Sequence, residues 1–265
     1  MGKTPPLAVL SRFVPHLGRL GRAERWRRLR GRPRIWAHRG ASAHRPENTL
    51  DAFELARSAG ADGIELDIRL DRDGHVVVFH DRDLQRLCGQ PGRIEDLDAD
   101  ARKQLRVGGC GVPLLADVFD MLGDLELNVE IKSNQPGRNG ALVAAAAQVI
   151  RRSGRAEQVL VSSFDPFSLL QFYRQLPDVA LAFLFGADQS LPIRKGWLGR
   201  AMGATVLHPE HTLCTEENVK AWHTSGRPIN AWTVDDADEL RRLDELGVDG
   251  IFTNDPAHAL AVLGA

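Results

Sequence analysis

No stretch of the chain approaches the roughly 20 consecutive apolar residues that a membrane-crossing helix requires. That excludes a chain built around such helices. Cysteine is equally scarce: Cys88, Cys110 and Cys214 are the only three. None stands at metal-ligand spacing, so a zinc cluster is excluded, and an odd number closes no disulfide set. A reducing, cytoplasmic setting is therefore expected. No glycine-rich fingerprint follows the first apolar strand, which argues against a dinucleotide-binding open sheet. The apolar run from Leu7 to Leu10 is too short for a secretory signal and is followed by arginines. Pro6 stands where a myristoylation signal would want Ser or Thr after Gly2.

What is present is ordinary in bulk and uneven in distribution. The 265 residues are 43% hydrophobic and 26% charged, enough for one large domain with a substantial core. Residues 1–34 hold ten of the 34 Lys and Arg residues against one acid, Glu24. The rest of the chain keeps 24 basic and 34 acidic residues, a formal charge of −10. Residues 1–33 accordingly read as a basic extension, and 34–265 as the folded domain. The run Arg25-Trp26-Arg27-Arg28-Leu29-Arg30 could lie on an anionic membrane surface, peripherally, or remain solvated. A nucleic-acid partner is not expected, because the acidic body would oppose it.

From residue 34 onward, short apolar strands alternate with helical segments. Strands are expected over 35–37, 64–70, 127–131, 159–162, 180–184, 205–207, 229–232 and 250–252. Helices are expected over 49–59, 141–153, 166–175, 216–225, 236–246 and 256–263. Alternation of this kind gives parallel strands joined by crossover helices, and eight such strands close a (β/α)8 TIM barrel. One departure is expected after the second strand. Asp71-Arg72-Asp73-Gly74 is a tight-turn sequence, and 76–79 reads as a strand returning toward the barrel mouth. Residues 82–112 then form a small insertion.

Side chains two apart on a strand share a face. Glu65 and Asp67 therefore converge, as do Glu130 and Lys132, with the apolar alternates facing the helices. Three inward carboxylates are tolerable if a cation neutralises them, and an all-oxygen set suits Mg²⁺ or Ca²⁺ better than zinc. The competing reading is a salt-bridge network at the rim. The His38-Arg39-Gly40 and His80-Asp81 segments tip the balance. An arginine fork matches phosphate oxygens, and two histidines can move protons on both sides of a phosphodiester. Asn48 is expected to cap the following helix, while Glu47 is expected to orient a histidine or a metal-bound water, or only to complete the turn.

The series His38-Arg39-Gly40, Pro46-Glu47-Asn48-Thr49, Gly60-Ala61-Asp62, Glu65-Leu66-Asp67, Asp73-Gly74 and Val77-Val78-Phe79-His80-Asp81 resembles the glycerophosphodiester phosphodiesterase family. So do Glu130-Ile131-Lys132, Ser162-Ser163-Phe164, Trp232-Thr233-Val234 and Gly250-Ile251-Phe252-Thr253. The resemblance covers nearly everything after residue 34. It implies hydrolysis of glycerophosphodiesters to glycerol 3-phosphate and an alcohol, with a divalent cation held by Glu65, Asp67 and Glu130. It also implies His38 and His80 as the acid/base pair and Arg39 and Lys132 as phosphate ligands. Trp232 would wall the glycerol site or simply pack in the barrel. The sequence departs from the pattern at Asp71-Arg72, at Leu87-Cys88 and at Asp117. Two rival readings stand beside this one: a lysophospholipase D acting on lysophospholipids at a membrane surface, favoured by the basic arm, and a non-catalytic phosphate-binding protein.

Overall fold

The computed structural model describes residues 23–29, 31–133, 136–194, 196 and 203–264. Eleven strands occur among them: β1 (Arg34–His38), β2 (Gly63–Leu70), β3 (Val76–Val78), β4 (Arg106–Val107), β5 (Cys110–Gly111), β6 (Glu126–Ile131), β7 (Val159–Ser163), β8 (Ala180–Phe185), β9 (Val206–Pro209), β10 (Asn230–Ala231) and β11 (Gly250–Thr253). Eight of these run parallel in the order β10, β11, β1, β2, β6, β7, β8, β9. Parallel bridges from Leu207 to Ile229 and from Glu210 to Trp232 join the two ends and close the ring. The result is the expected TIM-like barrel.

Strand alternation explains its two layers. Outward residues such as Ile35, Ile64, Leu66, Val129, Val161 and Phe183 pack against the surrounding helices in one continuous core. Inward residues near the lower end form a smaller cluster of Trp36, Leu160, Ala182, Val206 and Phe252. Gly63 belongs to this floor, because a Cβ there would stand about 2.5 Å from the Trp36 ring. The helix Leu115–Met121, absent from the sequence reading, is the crossover between β2 and β6 once the insertion is passed.

The hairpin forms as expected. Gly74 takes φ 86°, and β3 returns antiparallel to β2 with Ile68 opposite Val78. Val76 and Val78 face the main core, while Val77 and Phe79 face the insertion. There they meet Leu84, Ile94, Leu105, Val107 and Val112, so the insertion has a small core of its own. A bond from Phe79 N to Asp67 O continues the pairing and delivers His80 to the mouth.

Residues 1–22 and Arg30 lie outside the described residues, as does any lipid contact they would make. The described remainder of the basic segment sits on the barrel floor. Trp26 is buried, its ring centroid 5.9 Å from that of Trp36. Arg32 grips Asp62 with two bonds of 2.5 and 2.9 Å, and Arg34 reaches Glu126 at 2.5 Å. Arg28 binds Asp244 at 2.7 Å and Arg27 lies 3.7 Å from Asp249. These arginines neutralise barrel acids rather than face outward. No helix among the described residues is long and apolar enough to cross a membrane.

Candidate active site

The register of two adjacent strands builds the centre of the site. Asp67 pairs with Glu130 across β2 and β6, and Glu65 lies two residues earlier on the same inward face. All three are buried, and one oxygen from each lies within 4.8 Å of the others. Burial, then Asp67 and Glu130, push Glu65 well above the usual carboxylate range. Glu130 is raised too, by burial and by Asp67, against the pull of Lys132. Burial alone would raise Asp67, but Lys132 and Arg39 outweigh it and hold that group below its usual value.

The cations sit at the edge of this cluster. Lys132 donates from Nζ to Glu130 Oε1 at 2.6 Å and lies 2.9 Å from Asp67 Oδ1. Arg39 donates its backbone N–H to Glu65 Oε2 at 2.9 Å, and its Nη1 to Glu47 Oε1 at 2.8 Å. Its Nε lies 3.3 Å from Asp67 Oδ2. Arg39 and Gly40 both take positive φ, 56° and 84°, and a Cβ on Gly40 would run into the Ala52 backbone. The turn after β1 thus depends on that glycine.

Three carboxylates against two cations leave a surplus of negative charge, and Glu47 also draws on Arg39. Asp67 Oδ1 is a buried oxygen held by the Lys132 ammonium at 2.9 Å, and no other group among the described residues donates to it. An oxygen-only set with a surplus charge fits a hard cation. The acidic group therefore could bind a metal ion, and the salt-bridge reading describes only part of it.

Asn48 does not cap the helix Leu50–Ser58; Thr49 does, accepting from Ala52 N. Asn48, at φ 57°, turns its side chain to Asp67 instead.

The histidines reach the site from the end of β1 and from the loop after β3. His38 Nδ1 lies 2.8 Å from Asn254 Oδ1, an oxygen that can only accept, so Nδ1 carries the proton and Nε2 is left with its lone pair. Asn254 is fixed in turn by Asp235, through bonds from its backbone N and its Nδ2. Burial and Arg39 push His38 down to about 4. His80 gives Nδ1 to Asp81 Oδ1 at 2.6 Å, and burial lowers it as well. Both line a cavity of about 270 Å³ with Arg39, Glu65, Glu130 and Lys132.

Trp232 lines the same cavity half-buried, its Nε1 bonded to His208 O at 2.7 Å and its ring edge-on to Phe164 at 5.6 Å. His208 was not among the sequence candidates. It is fully buried and lines the cavity; its Nε2 accepts from Asn230 Nδ2 at 3.0 Å, while Nδ1 has no hydrogen-bond partner among the described residues. The signal was available: the residue after the outward Leu207 must point inward, had the sixth strand been carried to residue 209. Asn254 and Asp235, on loops at the mouth, gave no such signal.

A profile of the glycerophosphoryl diester phosphodiesterase family matches residues 38–258. A glycerophosphodiester phosphodiesterase of Caldanaerobacter subterraneus is 36% identical over 236 residues, covering 84% of this chain and 94% of its own. One from Bacillus altitudinis is 33% identical, covering 86% and 97%. Among solved structures, a glycerophosphodiester phosphodiesterase from Thermotoga maritima superposes with a TM-score of 0.72 at 30% identity, over 87% of this chain and 98% of its own. A phosphodiesterase from Oleispira antarctica, in complex with the product sn-glycerol-3-phosphate, gives a TM-score of 0.81 at 25% identity, over 88% and 98%.

Proposed function

The chain belongs to the glycerophosphoryl diester phosphodiesterase family and hydrolyses glycerophosphodiesters to glycerol 3-phosphate; within that activity, we propose that His38 and His80 are its acid/base pair. Each presents Nε2 with its Nδ1 already committed to an acceptor, Asn254 or Asp81. One accepts the proton of the attacking hydroxyl and the other donates to the departing alkoxide. The attacking hydroxyl is the substrate's own 2-hydroxyl or a water.

Glu65, Asp67 and Glu130 would hold Mg²⁺ or Ca²⁺, which when bound supplies Lewis-acid neutralisation of charge at phosphorus. Arg39 and Lys132 are the phosphate ligands, preorganised by the carboxylates they already touch. Trp232 and His208 bound the glycerol end. A more open hollow of about 400 Å³ shares His80, Glu130 and Lys132 and reaches Arg82 and Asp83. It receives the departing alcohol. The relative holding sn-glycerol-3-phosphate supports a place for that product in this site.

The observation that carries the reading is the buried carboxylate trio, of which Glu65 and Glu130 line the same cavity as both histidines. A coupled assay for glycerol 3-phosphate release tests it, run with chelator and then with Mg²⁺ or Ca²⁺ restored. Turnover indifferent to chelation contradicts the cation site.

One observation favours a second reading, lysophospholipase D activity. Phe164 and Phe167 are exposed large apolar side chains, and Phe164 borders both hollows. Comparing glycerophosphocholine with a lysophospholipid decides it; turnover of the soluble substrate alone dismisses the lipid.

A further inference from the structure

The insertion after β3 sends one cation back toward the site. Arg86 lies on the short helix Gln85–Cys88. Leu84, Leu87 and Cys88 pack into the insertion's own core, which leaves Arg86 pointing the other way. Its guanidinium meets two carboxylates at once. Nε and Nη2 bind Asp81 at 2.7 and 2.8 Å, and Nη1 and Nη2 bind Glu47 at 2.8 and 2.9 Å.

Neither carboxylate lines the cavity shared by the two histidines, although Asp81 borders the more open hollow beside it. Each holds a side chain that does line that cavity. Asp81 Oδ1 accepts from His80 Nδ1 at 2.6 Å, and Glu47 Oε1 accepts from Arg39 Nη1 at 2.8 Å. The hydrogen bonds of Arg86 keep the Asp81 carboxyl low, at about 2, so its acceptor role toward His80 persists. A single planar fork therefore ties the proton-transfer histidine to the phosphate-holding arginine across the gap between the β1 loop and the insertion.

We propose that Arg86 is a positioning residue that fixes the His80 ring through Asp81 and the Arg39 fork through Glu47. The proposal rests on the roles given above to His80 and Arg39. Magnitudes separate it from a merely structural role. The Arg86 side chain is 49% exposed, and exposed ion pairs contribute little to stability. Geometry is far more sensitive, since a displacement of about 1 Å in a reacting group can cost on the order of 10²-fold in rate. Loss of Arg86 should therefore be felt in turnover and scarcely in folding.

The experiment uses the full chain. Arg86→Ala should lower kcat about 10- to 100-fold and raise KM, with Tm and cation affinity near wild type. Arg86→Lys keeps a charge but cannot fork between two carboxylates, and should recover only part of kcat. Guanidinium ion at millimolar concentration, below denaturing levels, should restore part of the Arg86→Ala rate and leave wild type unchanged. In a His80→Ala background, removing Arg86 should cost much less than in wild type. Wild-type kcat/KM in Arg86→Ala overturns the proposal. So does a rate loss in both variants that only follows a loss of folded protein. A fully active His80→Ala would instead sink the catalytic assignment on which the proposal rests, a distinct result.

Discussion

Asn48 and Asp67 exchange two hydrogen bonds: Asn48 Nδ2 donates to Asp67 Oδ2 at 2.8 Å, and Asp67 N donates to Asn48 Oδ1 at 3.2 Å. The pair aims the carboxylate and leaves its other oxygen to Lys132, whose Nζ lies 2.9 Å away. Asn48→Gly keeps the φ of 57° comfortable and removes only the amide. It should weaken divalent-cation binding by about 10- to 100-fold in calorimetry. Asn48→Ala should lose a further ~1–2 kcal/mol of stability to backbone strain. Unchanged cation affinity in Asn48→Gly would break the link.

His38→Ala and His80→Ala should each lower kcat by about 10²-fold or more, because proton transfer to or from the reacting oxygens would fall to water. The two variants should stay folded in thermal melts. Near-normal turnover in His80→Ala removes it from the scheme.

Two buried imidazoles make stability depend on pH. An unfolded histidine titrates near 6.5, but burial pushes His208 down to about 3, and burial with Arg39 pushes His38 down to about 4. Between those values the unfolded chain binds protons that the folded chain refuses. The contribution of these two groups is thus undiminished above pH 6.5 and declines as pH falls toward 3. Urea unfolding should show a loss of up to ~1.4 kcal/mol per pH unit for each such group. His208→Gln should lose that group's share of the slope, and a variant whose stability differs from wild type by the same amount at pH 7 and pH 5 would contradict the account.

Trp26→Ala should cost about 3–5 kcal/mol, the usual range for emptying a packed tryptophan site. Arg32→Ala, at a partly exposed ion pair, should cost far less. Denaturant titration of both variants checks the order. A loss under 1 kcal/mol for Trp26→Ala would show that the segment merely rests on the floor.

The eight barrel strands and the return hairpin were legible because period-two alternation and a turn sequence are local signals. The residues the structure brings into one cavity, His38, Arg39, Glu65, His80, Glu130, Lys132 and Trp232, were legible for the same reason, with Asp67 beside them. Long-range partners were not. Residues 23–33 read as solvated because the acids they neutralise, Asp62, Glu126 and Asp249, are scattered along the chain. Asn48 and Thr49 are both good caps, and only the fold distinguishes them. The helix Leu115–Met121 was hidden behind the insertion that delays it.

Because Asp67 and Glu130 stand opposite one another on adjoining strands, their separation is inherited from the spacing of roughly 4.8 Å that the backbone hydrogen bonds enforce. A closed ring of eight strands cannot open locally to suit a larger guest. The barrel wall therefore works as a calliper with a fixed setting. Changing which ion it grips would have to come from the length of the jaws, as in Glu130→Asp, and not from any adjustment of the frame.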